Sequence, residues 1–435
     1  MRGAIRGLGV GLAVALAHAA EPAGAQPAGA NYDEAKVPAY TLPDPLRFED
    51  GAPVRDAADW TVRRRAEVLH LFETHVYGRS PSPPAAMRPA VVESDPRALG
   101  GLATRRQVRV LLDGTENGPA FEILLYVPNA ASRPVPAFLG LNFGGNHTVH
   151  PDPAIRLSTA WMREGPGVAD HRATEASRGT AAASWPVERI LDRGYGLATV
   201  YYGDLEPDHA DGWKDGVRSR LGPGVTGRFA PDDWGAIAAW AWGLSRALDV
   251  LAKDPDVDGR RVAVIGHSRL GKTALWAGAE DERFAMVVSN DSGEGGAALA
   301  RRRFGETTEA ITKSFPHWFC PRFREYAGRE DALPVDQHLL LALVAPRPLY
   351  VASASEDLWA DPHGEFLAAR AAEPVYRLLG REGLGVEEMP VPDRPVGKTI
   401  GYHLRRGEHA LTAYDWEQYL DFADRHLRRT AASSR

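Results

Sequence analysis

The sequence predicts an α/β fold, a three-layer sandwich whose mostly parallel central sheet is preceded by antiparallel N-terminal strands. Residues 107–112 and 121–128 alternate apolar and polar side chains, as half-buried antiparallel strands do. From residue 232 onward, patterns of helical period alternate with short β-branched apolar runs, which implies parallel strands buried between helices. Hydrophobic residues make up 44% of the 435 and charged residues 25%, enough apolar surface for a large core.

In chain order, residues 26–57 are rich in Ala, Pro and Asp and read as an irregular entry. Residues 59–77 place Val68, Leu71, Phe72, His75 and Val76 at helical spacing, and the prolines at 81, 83 and 84 end that helix. After the two alternating strands, residues 137–143 form a more continuously apolar strand that runs into Gly144-Gly145-Asn146-His147. Residues 150–185 are dense in charge and poor in periodicity, a loop or lid beside a site. A strand follows at 196–202, then a helix at 232–251 with Trp234, Ile237, Trp240, Ala241, Leu244 and Leu248 on one face. The run Arg261-Val262-Ala263-Val264-Ile265 is a buried strand, residues 272–279 a helix and residues 284–290 the next parallel strand. A mixed, aromatic stretch covers 294–336. The chain closes with a helix at 338–344, a strand at 349–353, a helix at 364–379, a strand at 400–405 and a helix at 414–427.

The N-terminus combines a basic start, Met1-Arg2-Gly3-Ala4-Ile5-Arg6, with an apolar run over residues 8–17. That run is too short to span a bilayer, and small-residue cleavage sites follow at Ala17-His18-Ala19 and Ala23-Gly24-Ala25. Residues 1–25 are expected to be a secretory signal peptide, directing export to the periplasm or beyond. Residues 26–435 are expected to form a single catalytic domain, with insertions on the active-site face. Cys320 is the only cysteine, so no intramolecular disulfide and no thiolate metal cluster can form within one chain; its aromatic setting, Trp318-Phe319-Cys320-Pro321, reads as core. The net charge of −6 argues against a nucleic-acid partner, and Arg301-Arg302-Arg303 reads as a solvated helix face.

Between the strand at 261–265 and the helix after it lies Gly266-His267-Ser268-Arg269-Leu270-Gly271. A serine on a sharp strand-to-helix turn has the context of a nucleophile elbow, although Leu270 stands where G-x-S-x-G has its second glycine. A serine hydroxyl needs an imidazole to take its proton and a carboxylate to orient that imidazole. The order Ser268, Asp357, His409 is that of an α/β-hydrolase, with each residue at the carboxyl end of a strand. The Gly-Gly loop at 144–145 is where such a fold offers a second oxyanion N–H, or it is a plain turn. His403 reads as packed, His363 as too near Asp357, and His426 as a surface residue of the last helix. Glu356 and Asp361 read as helix caps. Asp291, at another strand end, remains a competing acid.

Several segments together resemble the bacterial glucuronoyl esterases, carbohydrate esterase family 15. They are Gly266 through Trp276, Ser289-Asn290-Asp291-Ser292-Gly293, Asp336-Gln337-His338, Ala345-Pro346-Arg347-Pro348, Glu356 through Asp361, and Tyr414-Asp415-Trp416. The resemblance implies Ser268 as nucleophile, His409 as base and Arg269 as oxyanion support, by side chain and backbone N–H. It further implies Lys272, Glu306 and Trp359 as contacts to a uronate. The family's acid stands at either the Asp291 or the Asp357 position; aspartate is short for the first, which favours Asp357 with Asp291 in support. The implied activity cleaves the ester between 4-O-methyl-D-glucuronate of glucuronoxylan and lignin alcohols, with no metal or cofactor, by a monomer without membrane association once the signal is removed. An acetyl-xylan or feruloyl-type esterase on the same scaffold is the rival enzyme reading, and a non-catalytic carbohydrate-binding protein the rival of another class.

Overall fold

The computed structural model describes residues 27, 29–221 and 226–428. The expected signal peptide, residues 1–25, lies outside them. Ten strands form one sheet: β1 (Arg88–Ala98), β2 (Ala103–Leu111), β3 (Ala120–Pro128), β4 (Val135–Asn142), β5 (Gly196–Tyr201), β6 (Val257–His267), β7 (Met286–Asn290), β8 (Leu349–Ala354), β9 (Val396–Gly397) and β10 (Ile400–Arg405). Their order across the sheet is β1-β2-β3-β5-β4-β6-β7-β8-β10-β9. Pairings are antiparallel from β1 to β5, parallel from β5 through β10, and antiparallel again at the β9 edge. The chain leaves β4 for β5 on one side and returns to β6 on the other. Open sheets bind ligands outside the carboxyl ends of their strands, at such a reversal of order.

β5, β7, β8 and β10 are buried along their whole length, as parallel strands covered on both faces must be. Alternation within a strand feeds two cores: Leu139, Val264 and Val287 face one, while Phe138, Ile265 and Val288 face the other. The first core receives helices α1 (Arg65–Phe72), α2 (Ala236–Leu251), α3 (Arg269–Glu280) and α4 (Pro362–Ala371); the second receives α5 (Ala413–His426). α2 is buried on nearly every side, not on the one face its spacing suggests, because the segment at 315–323 covers what would be its outer surface near the N-terminus. Burying its Trp240, Ile237 and Leu244 side chains contributes roughly 1.5–3 kcal/mol each.

Three sequence expectations change. α2 starts at Ala236 rather than near 232, since the amides of Ala236 and Ile237 bond to the carbonyls of His317 and Trp318. The helix expected over 364–379 is two, Pro362–Ala371 and Glu373–Leu378, because Pro374 fits only the first turn of a new helix. Arg301 and Arg302 are buried rather than solvated. Arg301 donates to the carbonyls of Leu333 and Val335 and pairs with Asp336 at 3.2 Å, while Arg302 pairs with Asp361 at 2.8 Å and Glu34 at 2.7 Å. Asp336 and Asp361 also cap the helices that follow them, so these two arginines tie helix N-termini to the loop at 300–306.

Candidate active site

Ser268 sits between β6 and α3 with φ 58° and ψ −131°, a strained backbone for a residue with a Cβ. A Cβ on Gly266 would lie 1.9 Å from the Leu270 carbonyl oxygen, so only glycine permits this turn. The displaced second glycine has its own reason: a Cβ on Gly271 would stand 3.0 Å from Ser292 Cβ and 3.1 Å from the Asn290 carbonyl oxygen, where α3 crosses the end of β7. Leu270 meanwhile buries its side chain in the core. The Ser268 amide donates to the Asn290 carbonyl at 2.9 Å. The Arg269 amide, at the first helical position, is one of the donors that no intrahelical carbonyl reaches.

His409 lies in the turn after β10, and its Nδ1 is 2.6 Å from Asp357 Oδ2, in the turn after β8. With Nδ1 donating, Nε2 is left as the acceptor, and His409 and Ser268 line the same cleft. Ser268 Oγ makes no hydrogen bond among the described residues; such bonds in unliganded sites are often long and tighten with substrate. Asp291 occupies the turn after β7 with φ 44°. It is buried, and neither carboxylate oxygen has a hydrogen bond among the described residues. Its polar atoms lie within 4.8 Å of those of Asp357 and His409, but Asp357 holds the imidazole. Burial, reinforced by repulsion from Asp357, Glu365 and Asp415, pushes the Asp291 carboxyl well above the ordinary carboxylate range.

On the other flank, the Arg269 guanidinium lies 5.0 Å from the centre of the Phe143 ring and 5.4 Å from that of Trp318. Trp318, expected as core, lines the cleft through this contact. Of its two alternatives, the Gly144-Gly145 loop fits the plain turn better. The Gly145 amide donates to Asn142 Oδ1 at 2.8 Å, and none of residues 144–147 lines the cleft, so the loop contributes Phe143 against Arg269 instead.

In the same cleft, Lys272 is buried, donates to the Ser292 carbonyl and stands 3.9 Å from Glu306 Oε2. Burial pulls the Lys272 ammonium below its usual range against the pull of Glu306, and burial pushes the Glu306 carboxyl up against the pull of Lys272 and His409. Desolvation therefore outweighs the mutual attraction, and both groups gain from a polar ligand. Glu306 and Trp359 are brought together by Gly305, whose Cβ would lie 2.5 Å from the carbonyl oxygens of Leu358 and Trp359; the Glu306 amide donates to the latter. These groups and Ser268, Arg269, Asp291, Asp357 and His409 share one cleft of about 290 Å³.

The chain is similar to known proteins along most of its length. The family described as "Glucuronyl esterase, fungi" matches residues 229–380. A solved glucuronoyl esterase from Solibacter usitatus is 52% identical, covers 91% of this chain and 100% of its own, and superposes with a TM-score of 0.86. A promiscuous CE15 esterase from a marine bacterial metagenome is 51% identical with a TM-score of 0.86, over 92% of this chain and 100% of its own. The chain belongs to carbohydrate esterase family 15. Among fungal members, the 4-O-methyl-glucuronoyl methylesterase 1 of Phanerochaete chrysosporium is 29% identical over 78% of this chain and 62% of its own.

In this family member, sequence reasoning passed over three residues that shape the site. His267 packs its ring 4.4 Å from that of His409, and its Nδ1 is 2.6 Å from Asn290 Oδ1, whose amide nitrogen donates to Tyr419. Burial, with the His409 charge adding to it, holds His267 well below the usual imidazole range, beside the His409 ring. Arg405 donates to the carbonyls of Glu408 and Ala410 and thereby pins the turn that carries His409. Asp208 is the third, buried beside Arg269 at 3.1 Å. A Gly/Ser motif scan gives no signal for any of them, because their roles depend on distant chain segments.

The rejected candidates lie elsewhere. His403 is buried against Asp415 at 2.8 Å, His363 pairs with Glu34 at 3.0 Å, and His426 bonds the Lys398 carbonyl at 2.9 Å. Asp361 caps α4, whereas Glu356 caps no helix and stands exposed at the rim of the cleft. Cys320 is buried, with its thiol pushed up to about 12 by desolvation. A larger cleft of about 470 Å³, bordered by Arg109, Asn146, Arg156, Trp161 and Asp204, contains none of Ser268, Arg269, Lys272, Asp291, Glu306, Asp357, Trp359 and His409.

Proposed function

We propose that the protein hydrolyses the ester between 4-O-methyl-D-glucuronate of glucuronoxylan and lignin alcohols through a glucuronoyl-enzyme intermediate. The polar acyl side of the cleft carries this reading. Buried Lys272 and Glu306 beside Trp359 suit a hydroxylated, charged acyl group, whereas an acetyl group needs only a tight apolar pocket.

Ser268 Oγ attacks the ester carbonyl carbon while its proton passes to His409 Nε2. Asp357 keeps Nδ1 as the donor and stabilises the imidazolium. The carbonyl oxygen, now an oxyanion, is received by the Arg269 guanidinium and the backbone amide at the start of α3. His409 returns the proton to the departing alcohol oxygen as the carbon–oxygen bond breaks. A water molecule then attacks the acyl carbon while giving a proton to His409, and His409 returns that proton to Ser268 Oγ as the acyl carbon–Oγ bond breaks, which releases the uronate and restores the serine. Among the described residues no helix is long and apolar enough to cross a membrane, and the pattern of residues 1–25 supports export.

The test is hydrolysis of benzyl glucuronate beside 4-nitrophenyl acetate by the wild type and by Ser268→Ala. Preference for the glucuronate ester is expected, with a loss of at least about a thousandfold in the variant. Preference for the acetate would replace the acyl-side reading with an acetyl-type esterase. Inactivity on both, with no labelling by a fluorophosphonate, would favour a binding protein.

A further inference from the structure

Arg269 follows the nucleophile on α3, and a guanidinium on a long side chain stabilises an oxyanion only if it is held still before the reaction starts. Its Nε is engaged by Asp208 Oδ2 at 3.1 Å, while neither terminal nitrogen makes a hydrogen bond among the described residues. The plane is confined by the rings of Phe143 and Trp318. Asp208 is 1% exposed and serves more than Arg269. Its Oδ1 accepts from His317 Nε2 at 2.9 Å and Trp318 Nε1 at 2.7 Å, and its Oδ2 accepts from the Tyr202 hydroxyl at 3.3 Å. Arg163, from the segment expected as a lid, approaches to 3.8 Å.

The carboxylate is itself carried on a rigid loop. Neighbouring Glu206 is fully buried against Arg218, with Nε to Oε1 at 2.7 Å, and its carbonyl accepts from Trp240 Nε1 at 2.9 Å, which ties the loop to α2. Burial alone would raise the Asp208 carboxyl, yet Arg269, the His317 hydrogen bond and Arg163 hold it below the ordinary carboxylate range, so it is charged wherever the enzyme works. One carboxylate therefore faces two guanidinium groups. Of the two, Arg269 lines the cleft that holds Ser268 and His409.

We infer that Asp208 is a positioning residue for the reaction: it anchors Arg269 through Nε so that the terminal nitrogens face the developing oxyanion, and it fixes Trp318 as one wall of that arrangement. The inference rests on the proposed role of Arg269 in ester hydrolysis.

Its test is steady-state kinetics on benzyl glucuronate for Asp208→Asn, Arg269→Ala and the double variant, with folding checked by circular dichroism. Loss of one oxyanion donor costs about 100–1000-fold in kcat, and that loss is expected for Arg269→Ala. Asp208→Asn, which keeps the shape and removes the charge, is expected to lower kcat by about 10–100-fold with KM within about threefold, and to cost nothing further in the Arg269→Ala background. Full kcat in folded Asp208→Asn, or an equal loss in both backgrounds, would overturn the inference while leaving the role of Arg269 intact. Full kcat in Arg269→Ala would remove that role and the inference with it. Arg269→Lys, at a partly exposed position, gives an answer should Asp208→Asn fail to fold. An ammonium drawn to Asp208 has no second arm for the oxyanion, so a loss like that of Arg269→Ala is expected. Wild-type kcat in Arg269→Lys would refute the anchoring.

Discussion

Replacing each of the two candidate acids by its amide separates them. In Asp357→Asn the 2.6 Å contact to His409 Nδ1 survives in shape, but the charge that stabilises the imidazolium is gone. Asp357 is buried, with a side chain 6% exposed, so little solvent screening applies. At a charge separation of about 4 Å and an effective dielectric of about 20, the lost attraction is about 4 kcal/mol. That is about three decades of rate, and an amide N–H offered to Nδ1 favours the wrong tautomer besides. Asp291→Asn has a different prospect. Burial and its acidic neighbours push that carboxyl well above the ordinary carboxylate range, against the pull of Arg405 at 3.8 Å, and both its oxygens lack hydrogen bonds among the described residues. Exchanging a buried carboxyl that makes no hydrogen bond for an amide of the same size is expected to leave kcat within about fivefold and to leave the melting temperature unchanged or higher. The assay is kcat and KM on benzyl glucuronate, normalised by fluorophosphonate titration of active Ser268, with a thermal melt of each variant. A loss in Asp291→Asn equal to or larger than that in Asp357→Asn would refute the assignment of the acid.

Lys272→Met is expected to lower kcat/KM for benzyl glucuronate by about 10–100-fold, the value of a charge-assisted hydrogen bond, while 4-nitrophenyl acetate hydrolysis changes little; equal losses on both esters would place Lys272 outside the acyl pocket. Gly266→Ala drives a Cβ into the Leu270 carbonyl at 1.9 Å, so a destabilisation of about 3 kcal/mol or more is expected in urea titrations, and a wild-type midpoint would show that the elbow relaxes. His147 is buried, with Nε2 2.8 Å from Ser177 Oγ, and burial, with Arg178 adding, pulls its pKa down from 6.5 to about 4. Its folded value is the lower one, so its contribution is complete above pH 6.5 and is lost as the pH falls toward about 4. That displacement corresponds to about 3 kcal/mol; denaturation midpoints at pH 7 and pH 5 should converge in His147→Gln, and an unchanged pH slope would exclude His147 as the source.

The sheet was legible because its strands obey local rules. β6 and β8 are apolar runs between helix patterns, whereas β2 and β3, whose alternation reads as half-buried, are buried at most positions because elements cover both their faces. Ser268 was legible because Gly266 and the strand-turn-helix order mark an elbow without reference to anything distant. Arg301 and Arg302 were misread for the opposite reason: their surroundings are carboxylates 35 and 59 residues further on, Asp336 and Asp361. Asp208 and Arg405 share that difficulty. A lone aspartate in a loop and an arginine at a strand end carry no periodicity, and only the fold shows that one meets Arg269 and the other ties down the His409 turn. The Gly-Gly loop left two readings open because two glycines signal freedom of the backbone, not which partner its amides choose, and Asn142 took the one on Gly145.

Which acid reaches the base is a matter of strand neighbours that sequence order conceals. β10 pairs with β8 in register Ala354 to Arg405, and the pairing continues past both strand ends, through the Ser355 amide to the Arg405 carbonyl and the Glu356 amide to the Gly407 carbonyl. Asp357 and His409 follow directly from those two zipped turns. Asp291 leaves the end of β7, on the far side of β8, where its amide bonds the Ala352 carbonyl. It therefore starts two strand spacings from β10, roughly 9–10 Å at about 4.8 Å each, and an aspartate is short for that gap. A glutamate is longer by one methylene. In Asp357→Ala, adding Asp291→Glu is expected to restore kcat on benzyl glucuronate by at least about tenfold over the single variant, since a carboxylate again meets Nδ1. No recovery in a folded double variant, with Ser268 still labelled by fluorophosphonate, would mean that reach across the strands is not what selects Asp357.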